Sequence, residues 1–196
     1  MAIAHSAAAR RASEGLTRAA IGLRAKTGRA IAVVLRESDR GAQFVWRGEV
    51  SLVDPKVPAT AEPYHEVMEL PWSDATREVQ PLIVAIENAA TKAIEALVEE
   101  HNIVALGVVG SPPRDLVKLG NLHIRAHAAE GILFRCVLEV AAERCHIACV
   151  AYSDRNFAMS DAATLKELGR VAGPPWRTDE RMAATAAWNA LNSPRP

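Results

Sequence analysis

The stretch IVALGVVG, residues 103–110, decides the fold class, because it is a continuous apolar run without alternation. Such a run suits a strand buried on both faces of a parallel sheet. A long helical segment ends just before it near His101, with Pro81 expected to mark a kink or the start of a second helical piece. After it, a helix is predicted over about 122–144 and a further buried strand over 146–152, so strands and helices alternate.

The chain before the long helical segment has the composition of strands. AIAVVL, 30–35, and FVWRGEVSLV, 44–53, flank a polar turn that contains Gly41, which predicts a hairpin. YHEVMEL, 64–70, is interpreted as a third, short strand after a proline-rich loop. A meander therefore precedes the alternating helices and strands.

Two helices are expected to close the chain. Ser160 is the predicted cap of a short helix that ends at Gly169, and Thr178 is the predicted cap of a last helix that runs through Leu191. Asp179 lies in the first turn of that last helix, where a carboxylate is favoured by the helix dipole.

This order of elements predicts an α/β fold with a mixed sheet and helices on both faces, since each crossover places its helix on a face of the sheet. The order resembles that of the ribonuclease H-like superfamily. A doubly wound α/β fold is the alternative, disfavoured by the opening hairpin. We expect a flexible, Ala- and Arg-rich N-terminal extension over 1–20 and a single domain over 21–192.

The composition excludes little beyond a membrane protein. Of the 196 residues, 49% are hydrophobic, and 23 basic residues balance 23 acidic ones, so no global field draws the chain to nucleic acid. Cys136, Cys145 and Cys149 lie in apolar surroundings and are interpreted as buried, reduced thiols. These features indicate a soluble cytoplasmic protein.

The helix LHIRAHAAEGILFR contains the main candidate site. At about 100° per residue, His123, His127 and Glu130 fall within roughly 60° of one another on the helix face, at the head of an apolar stripe that should face the core. Buried polar groups need hydrogen bonds or a ligand. The H-x-x-x-H spacing places both imidazoles within reach of one ion, and Glu130 would add an oxygen. The alternative is a polar helix start bonded to neighbouring loops.

Other segments supply weaker candidates. His65 follows a proline-rich loop and would become significant if it met His127 in space. Trp176, in GPPWRTDE, either packs a rigid corner, which is favoured, or forms a site wall that presents Asp179. Two further pairs of modest candidates flank the strands: Ser111 and Arg114 after 103–110, and Lys26 and Arg29 before 30–35.

The resemblance to ribonuclease H-like nucleases implies carboxylates on the first strand, at the end of the fourth and on the last helix, clustered to hold two cations about 4 Å apart. The predicted first strand carries no acid, and the fourth ends in Gly110 and Ser111. Only Asp179 or Glu180 is near the expected position. The sequence therefore favours a departed or non-catalytic member over a conventional nuclease.

Four sequence blocks also resemble an uncharacterised bacterial protein family. They are GLRAKTGRAIAVVL, PYH, HIRAHAAEGILFR and GPPWRTDERMAATAAW, and they extend over roughly 20–191. The resemblance implies no particular activity. It does imply that His65, His127, Glu130 and Asp179 are the residues that matter.

Two functional hypotheses follow. In the first, the protein is a phosphoesterase or nuclease in which His123, His127, Glu130 and His65 bind Mg²⁺, Mn²⁺ or Zn²⁺, with His127, Glu130 and Asp179 as the catalytic groups. In the second, it is a non-catalytic ligand-binding or scaffold protein on a degenerate ribonuclease H-like fold. The expected partner is a small molecule or a nucleic acid and not a membrane, and self-association into a homo-oligomer stays open.

Overall fold

One mixed sheet of five strands forms the centre of the molecule. The computed structural model describes residues 18–39 and 41–193. The sheet order is β3-β2-β1-β4-β5; the first three strands pair antiparallel, and β4 runs parallel to both β1 and β5. The strands are β1 (Ala19–Lys26), β2 (Arg29–Ser38), β3 (Gly41–Ser51), β4 (Ile103–Gly110) and β5 (Ala148–Ser153).

Within the described residues, six α-helices surround this sheet. They are α1 (Pro63–Glu66), α2 (Trp72–Glu78), α3 (Gln80–His101), α4 (Leu122–Arg144), α5 (Ala162–Ala172) and α6 (Thr178–Asn192). An antiparallel meander followed by two parallel strands with crossover helices is the ribonuclease H-like arrangement. The predicted fold class, a mixed α/β sheet with helices on both faces, is confirmed. No described helix has both the length and the apolar character needed to cross a membrane.

The two faces of the sheet bury separate hydrophobic layers. Ile21 and Leu23 of β1 point to the layer formed with α3 and α4, which includes the fully buried Phe134. Ala20, which alternates with them, belongs to the layer formed with α5 and α6. Successive side chains of a strand point to opposite faces, so β1 contributes to both layers.

Helix α6 approaches the sheet so closely that its backbone touches two strands. A Cβ added to Gly22 would lie 1.8 Å from the carbonyl oxygen of Ala183, and one added to Gly107 would lie 2.4 Å from that of Ala186. Gly22 and Gly107 are paired in the register of β1 and β4. The alanine-rich face of α6 therefore sits directly on these two glycines.

The first strand lies earlier in the chain than the sequence indicated. The structure begins the meander with β1, Ala19–Lys26, so the predicted strands at 30–35 and 44–53 are the second and third. Alanine, glycine and two basic residues give β1 a weak strand signal, and tertiary burial overrides it. Of the predicted extension over 1–20, residues 1–17 lie outside the described part of the chain, and Ala19 and Ala20 are fully buried in β1.

The predicted third strand, YHEVMEL, is wrong. Its first residues form the short helix α1, which begins at Pro63 and contacts α4. Proline at the start of a helix is favoured, because its fixed φ suits the first turn and its missing N–H needs no partner there. The proline-rich loop therefore leads into a helical turn against α4, not into the sheet.

The central elements match their predicted bounds. Strand β4 spans Ile103–Gly110, α4 spans Leu122–Arg144, and Pro81 lies at the start of a second helical piece, α3. The predicted strand over 146–152 is shifted to Ala148–Ser153 and is only half-buried, because β5 is an edge strand.

The last two helices differ slightly from prediction. Asp161, not Ser160, caps α5 by accepting hydrogen bonds from two backbone N–H groups, and the helix ends at Ala172 rather than at Gly169. Gly169 instead leaves room for the indole of Trp176, which would lie 2.4 Å from an added Cβ. The predicted cap of the last helix is wrong, because Thr178 is the first residue of α6 and Arg177 precedes it as the cap; Asp179 lies in the first turn, as expected.

The thiols are free but less buried than predicted. Cys136 is exposed, and Cys145 and Cys149 are half-buried. Burial raises the pKa of the Cys149 thiol to about 12, so this thiol stays protonated at neutral pH.

The contact of α6 with the two sheet glycines can be tested by adding single methyl groups. Gly22→Ala and Gly107→Ala are each expected to lower the free energy of unfolding by about 3 kcal/mol, the upper end of overpacking costs, because the methyl would overlap backbone atoms. Gly120→Ala is the control, since an added Cβ there meets nothing within 4 Å. Urea denaturation measures all three, and equal midpoints would contradict the close contact.

Candidate metal centre

Two imidazoles of the candidate site stand on the first turns of α4. Asn121 caps this helix by accepting a hydrogen bond from the N–H of Ile124 at 2.9 Å. His123 and His127 follow one turn apart, and their Nε2 atoms are 3.0 Å from each other. The i, i+4 spacing on a regular helix brings the two rings together, as the sequence predicted.

The third imidazole comes from α1. The ring centroid of His65 lies 4.4 Å from that of His127 and 4.9 Å from that of His123. One ring nitrogen from each of the three residues lies within 4.8 Å of the others. We call His65, His123 and His127 the three-histidine cluster. His65 thus meets His127 in space, which is the condition under which it would become significant, and its role as a ligand stays a prediction.

Glu130 lies behind the cluster and is not one of its members. Its side chain is fully buried, and its Oε1 atom accepts hydrogen bonds from the N–H groups of Tyr64 and His65, both at 3.2 Å. Nδ1 of His65 lies 2.8 Å from the same oxygen. Burial raises the pKa of the Tyr64 phenol, and the nearby Cys136 and Glu130 add to the rise.

The exposure of the α4 residues corrects one prediction. The sequence placed His123, His127 and Glu130 together on the inward stripe, but both histidines are exposed and only Glu130 is buried. The first turn of α4, from Leu122 to Ile124, is exposed on every side. Helical periodicity predicts the shared face correctly, but it does not show how far the neighbouring elements cover that face. The cluster is therefore open to solvent on one side.

Asp179 is not a member of the three-histidine cluster. It lies at the start of α6, where its carboxylate pairs with Lys26 at 3.1 Å and with Arg24 at 3.6 Å. Arg24 also binds Asp154, which follows β5, at 3.1 Å. The proposed convergence of Asp179 with His127 and Glu130 is thus wrong, and Lys26 has a structural partner.

The carboxyl edge of the sheet consequently holds two cations and two carboxylates in contact. Arg24 and Lys26 stand on the true first strand, where no acidic side chain is present. Asp154, which the sequence reasoning missed, extends β5 by donating its N–H to the carbonyl of Gly110. An acidic residue two positions after the last predicted strand was the available signal. Among the described residues, the three-histidine cluster is the only group of three or more side chains suited to a metal.

Two of the three remaining candidates have structural contacts. The carbonyl of Ser111 accepts a hydrogen bond from Arg135 at 3.5 Å. Arg29 forms an exposed ion pair with Glu49, and Arg114 is exposed in its loop.

Trp176 packs the corner between α5 and α6, as favoured from the sequence. Its indole N–H donates to the carbonyl of Leu165 at 3.0 Å, and its ring meets Phe44 edge-on. These contacts support a structural role for the GPPW segment.

Three imidazoles with an orienting carboxylate form a recognisable ligand set for a divalent metal. Neutral imidazole suits Zn²⁺ and related transition metals, whereas Mg²⁺ prefers oxygen. Metal-ligating histidines commonly donate their other ring N–H to a carboxylate, and Nδ1 of His65 lies within hydrogen-bond distance of Glu130. Within the described chain, the cluster therefore has both the donors and the orienting partner that such a centre needs.

The ion pairs at the carboxyl edge can be tested separately from the cluster. Arg24→Gln is expected to lower the free energy of unfolding by about 1–3 kcal/mol, because it leaves two partly buried carboxylates with one cation. Arg29→Gln removes an exposed pair and should cost about 0–1 kcal/mol. Denaturation of both variants at low salt measures the difference. A smaller loss of unfolding free energy in Arg24→Gln than in Arg29→Gln would contradict a stabilising role for the Arg24 ion pairs.

Comparisons with known proteins return structural neighbours alone. No protein-family model matches the sequence and no curated protein matches it, so the resemblance to an uncharacterised bacterial family stays a prediction. The fold is similar to that of T. thermophilus RuvC in complex with a Holliday junction substrate, at 12% identity over 87% of this chain and 90% of that one, with a TM-score of 0.49. A second Thermus thermophilus RuvC structure gives 11% identity over 87% and 91%, with a TM-score of 0.46. An Aquifex aeolicus member of the Ppx/GppA family gives 10% identity over 70% of this chain and 36% of that chain, with a TM-score of 0.37.

Proposed function

We propose that the protein binds one divalent metal ion through His65, His123 and His127 and uses it to hydrolyse a phosphoester. The observation that carries this proposal is the meeting of three imidazoles from two elements that are far apart in sequence. His65 lies on α1, and the other two lie on the first turns of α4. A structural role for histidines alone does not require three rings to converge at one open point of the surface.

Zn²⁺ is the ion that this ligand set fits best among Mg²⁺, Mn²⁺ and Zn²⁺. Tetrahedral zinc with nitrogen ligands at about 2.0–2.1 Å separates those nitrogens by about 3.4 Å. The Nε2 atoms of His123 and His127 are 3.0 Å apart, and all three residues offer a nitrogen within 4.8 Å of the others. Small rotations of the rings would bring them to the required spacing. Mg²⁺ is disfavoured, since no oxygen ligand from residues 18–39 or 41–193 joins the cluster.

The charge and exposure of the site favour an anionic substrate. Three neutral imidazoles leave the charge of a divalent ion uncompensated, and the N-terminus of α4 adds a positive dipole nearby. Because His123 and His127 are exposed, a fourth position is open to water and to a phosphoryl oxygen. A bound ion would supply Lewis acidity toward that oxygen. The balanced charge of the chain favours a small phosphoester over a long nucleic acid.

Metal binding is tested first. Purified protein, stripped with chelator and titrated with Zn²⁺, is expected to bind one equivalent and to melt at a higher temperature. His127→Ala should weaken zinc binding by about 100-fold or more, because losing a ligand costs more than losing its hydrogen-bond partner. His146→Asn is the control, since His146 is exposed with a φ of 56°, which asparagine tolerates. Calorimetry that shows no zinc binding by the wild type would overturn the proposal.

Hydrolysis is tested next with bis(p-nitrophenyl) phosphate and p-nitrophenyl phosphate. Zinc-loaded protein should release p-nitrophenolate from at least one of them, and His123→Ala and His127→Ala should each lower the rate by about 100-fold or more as the metal is lost. The control variant His146→Asn should keep the full rate. Zinc binding without any hydrolysis would favour the second candidate function.

The second candidate is a non-catalytic ligand-binding or scaffold protein. It is favoured by the carboxyl edge of the sheet, where Arg24 and Lys26 neutralise Asp154 and Asp179. On this reading a zinc ion would stabilise the start of α4 without any turnover. Phosphodiester hydrolysis that His127→Ala abolishes while the melting temperature stays high would reject this candidate.

A further inference from the structure

We propose that Glu130 is a positioning residue that couples metal binding to the docking of α1 on α4. This inference rests on the proposed metal function and deepens it. Glu130 would not touch the metal. It would act through His65, whose ring it orients, so that the three-histidine cluster is complete only when α1 is seated.

The hydrogen bonds around Glu130 fix which nitrogen of His65 faces a metal. An ionised carboxylate only accepts, so Nδ1 of His65, 2.8 Å from Oε1, is the donor in this contact. The remaining ring nitrogen, Nε2, then carries the lone pair. Nε2 is buried and has no hydrogen-bond partner among the described residues. It is therefore the atom left to join His123 and His127 at an ion.

The burial of Glu130 explains why its charge matters. The side chain is fully buried, and Oε2 has no hydrogen-bond partner in the described part of the chain. A buried carboxylate is costly unless a positive group compensates it. A divalent ion on the far side of the His65 ring would supply that compensation, and the carboxylate in turn would increase the basicity of the ring.

The same carboxylate also holds α1 in place. This helix has four residues and no side-chain cap at its start, so it is too short to be stable alone. The N–H of Tyr64 donates to Oε1 of Glu130, and the N–H of His65 is shared between that oxygen and the carbonyl of Glu62. An interaction of His65 with a metal would therefore also stabilise the docking of α1 on α4. By thermodynamic linkage, the docking of α1 must strengthen metal binding by the same factor by which metal binding strengthens that docking.

The central experiment measures zinc affinity in Glu130→Gln, which keeps the shape and one acceptor oxygen but removes the charge. We expect the affinity to fall by about 10–100-fold, the usual effect of losing a carboxylate behind a ligating histidine. Glu143→Gln is the matched control, because Glu143 is an exposed carboxylate on the same helix. Co²⁺ titration gives a second readout, since its visible absorption reports how many nitrogens bind, which a purely structural role would not change.

If Glu130→Gln fails to fold, hydrogen exchange of the wild-type protein tests the positioning role of Glu130 instead. In the wild-type protein, zinc should slow exchange of the Tyr64 amide, which donates directly to Glu130. In a His123→Ala/His127→Ala double variant, zinc should leave that exchange unchanged, while the metal-free level of protection persists.

The outcomes separate the two proposals. Wild-type protein that binds zinc while Glu130→Gln binds it equally well, or zinc that does not slow the Tyr64 amide, would overturn the positioning role alone. A wild-type protein that binds no zinc would overturn the proposed function and the positioning role with it.

Discussion

The direct contact of α6 with Gly22 and Gly107 is the constraint on which the rest of the structure depends. Backbone atoms of the helix occupy the space where side chains of β1 and β4 would be, so the two central strands have no freedom to carry larger residues there. This contact seals one face of the sheet with alanine. Most of the largest fully buried side chains, Phe134 among them, lie on the other face, under α3 and α4. The long α4 is thereby fixed, and its first turns carry two of the three histidines.

The charged side chains around Arg24 and those around Glu130 differ in how fully their charges are compensated. Around Arg24, each carboxylate has a cation as its neighbour, and the charges neutralise one another within the protein. Around Glu130, the imidazole of His65 is the only side chain of the described residues that pairs with the carboxyl group, and Oε2 has no hydrogen-bond partner among them. Charged side chains that neutralise one another stabilise the fold. A buried carboxylate with an unpaired oxygen, next to exposed imidazole nitrogens, indicates a binding site instead.

The sequence predicts elements well where the pattern is purely apolar or purely helical. IVALGVVG and the helix over 122–144 match the structure residue for residue. Strand β1 was missed because its burial depends on glycine and alanine packing against α6, which no local pattern reveals. The pairing of His123 with His127 follows from helical spacing. Tertiary packing brings His65 to this pair, pairs Asp179 with Lys26 and Arg24 instead, and buries Glu130. The sequence could therefore give these positions only as hypotheses.

The unequal sequence separation within the three-histidine cluster has a consequence for how the protein assembles. His123 and His127 are neighbours as soon as α4 forms, and a single helix forms within about a microsecond. His65 joins them only after the chain closes a loop of nearly sixty residues, and such long-range contacts form later. With the proposed metal site, an ion would be held weakly by two nitrogens before the third reaches it. Binding of the ion and completion of the fold would then be successive events, and the ion in solution would speed the later one.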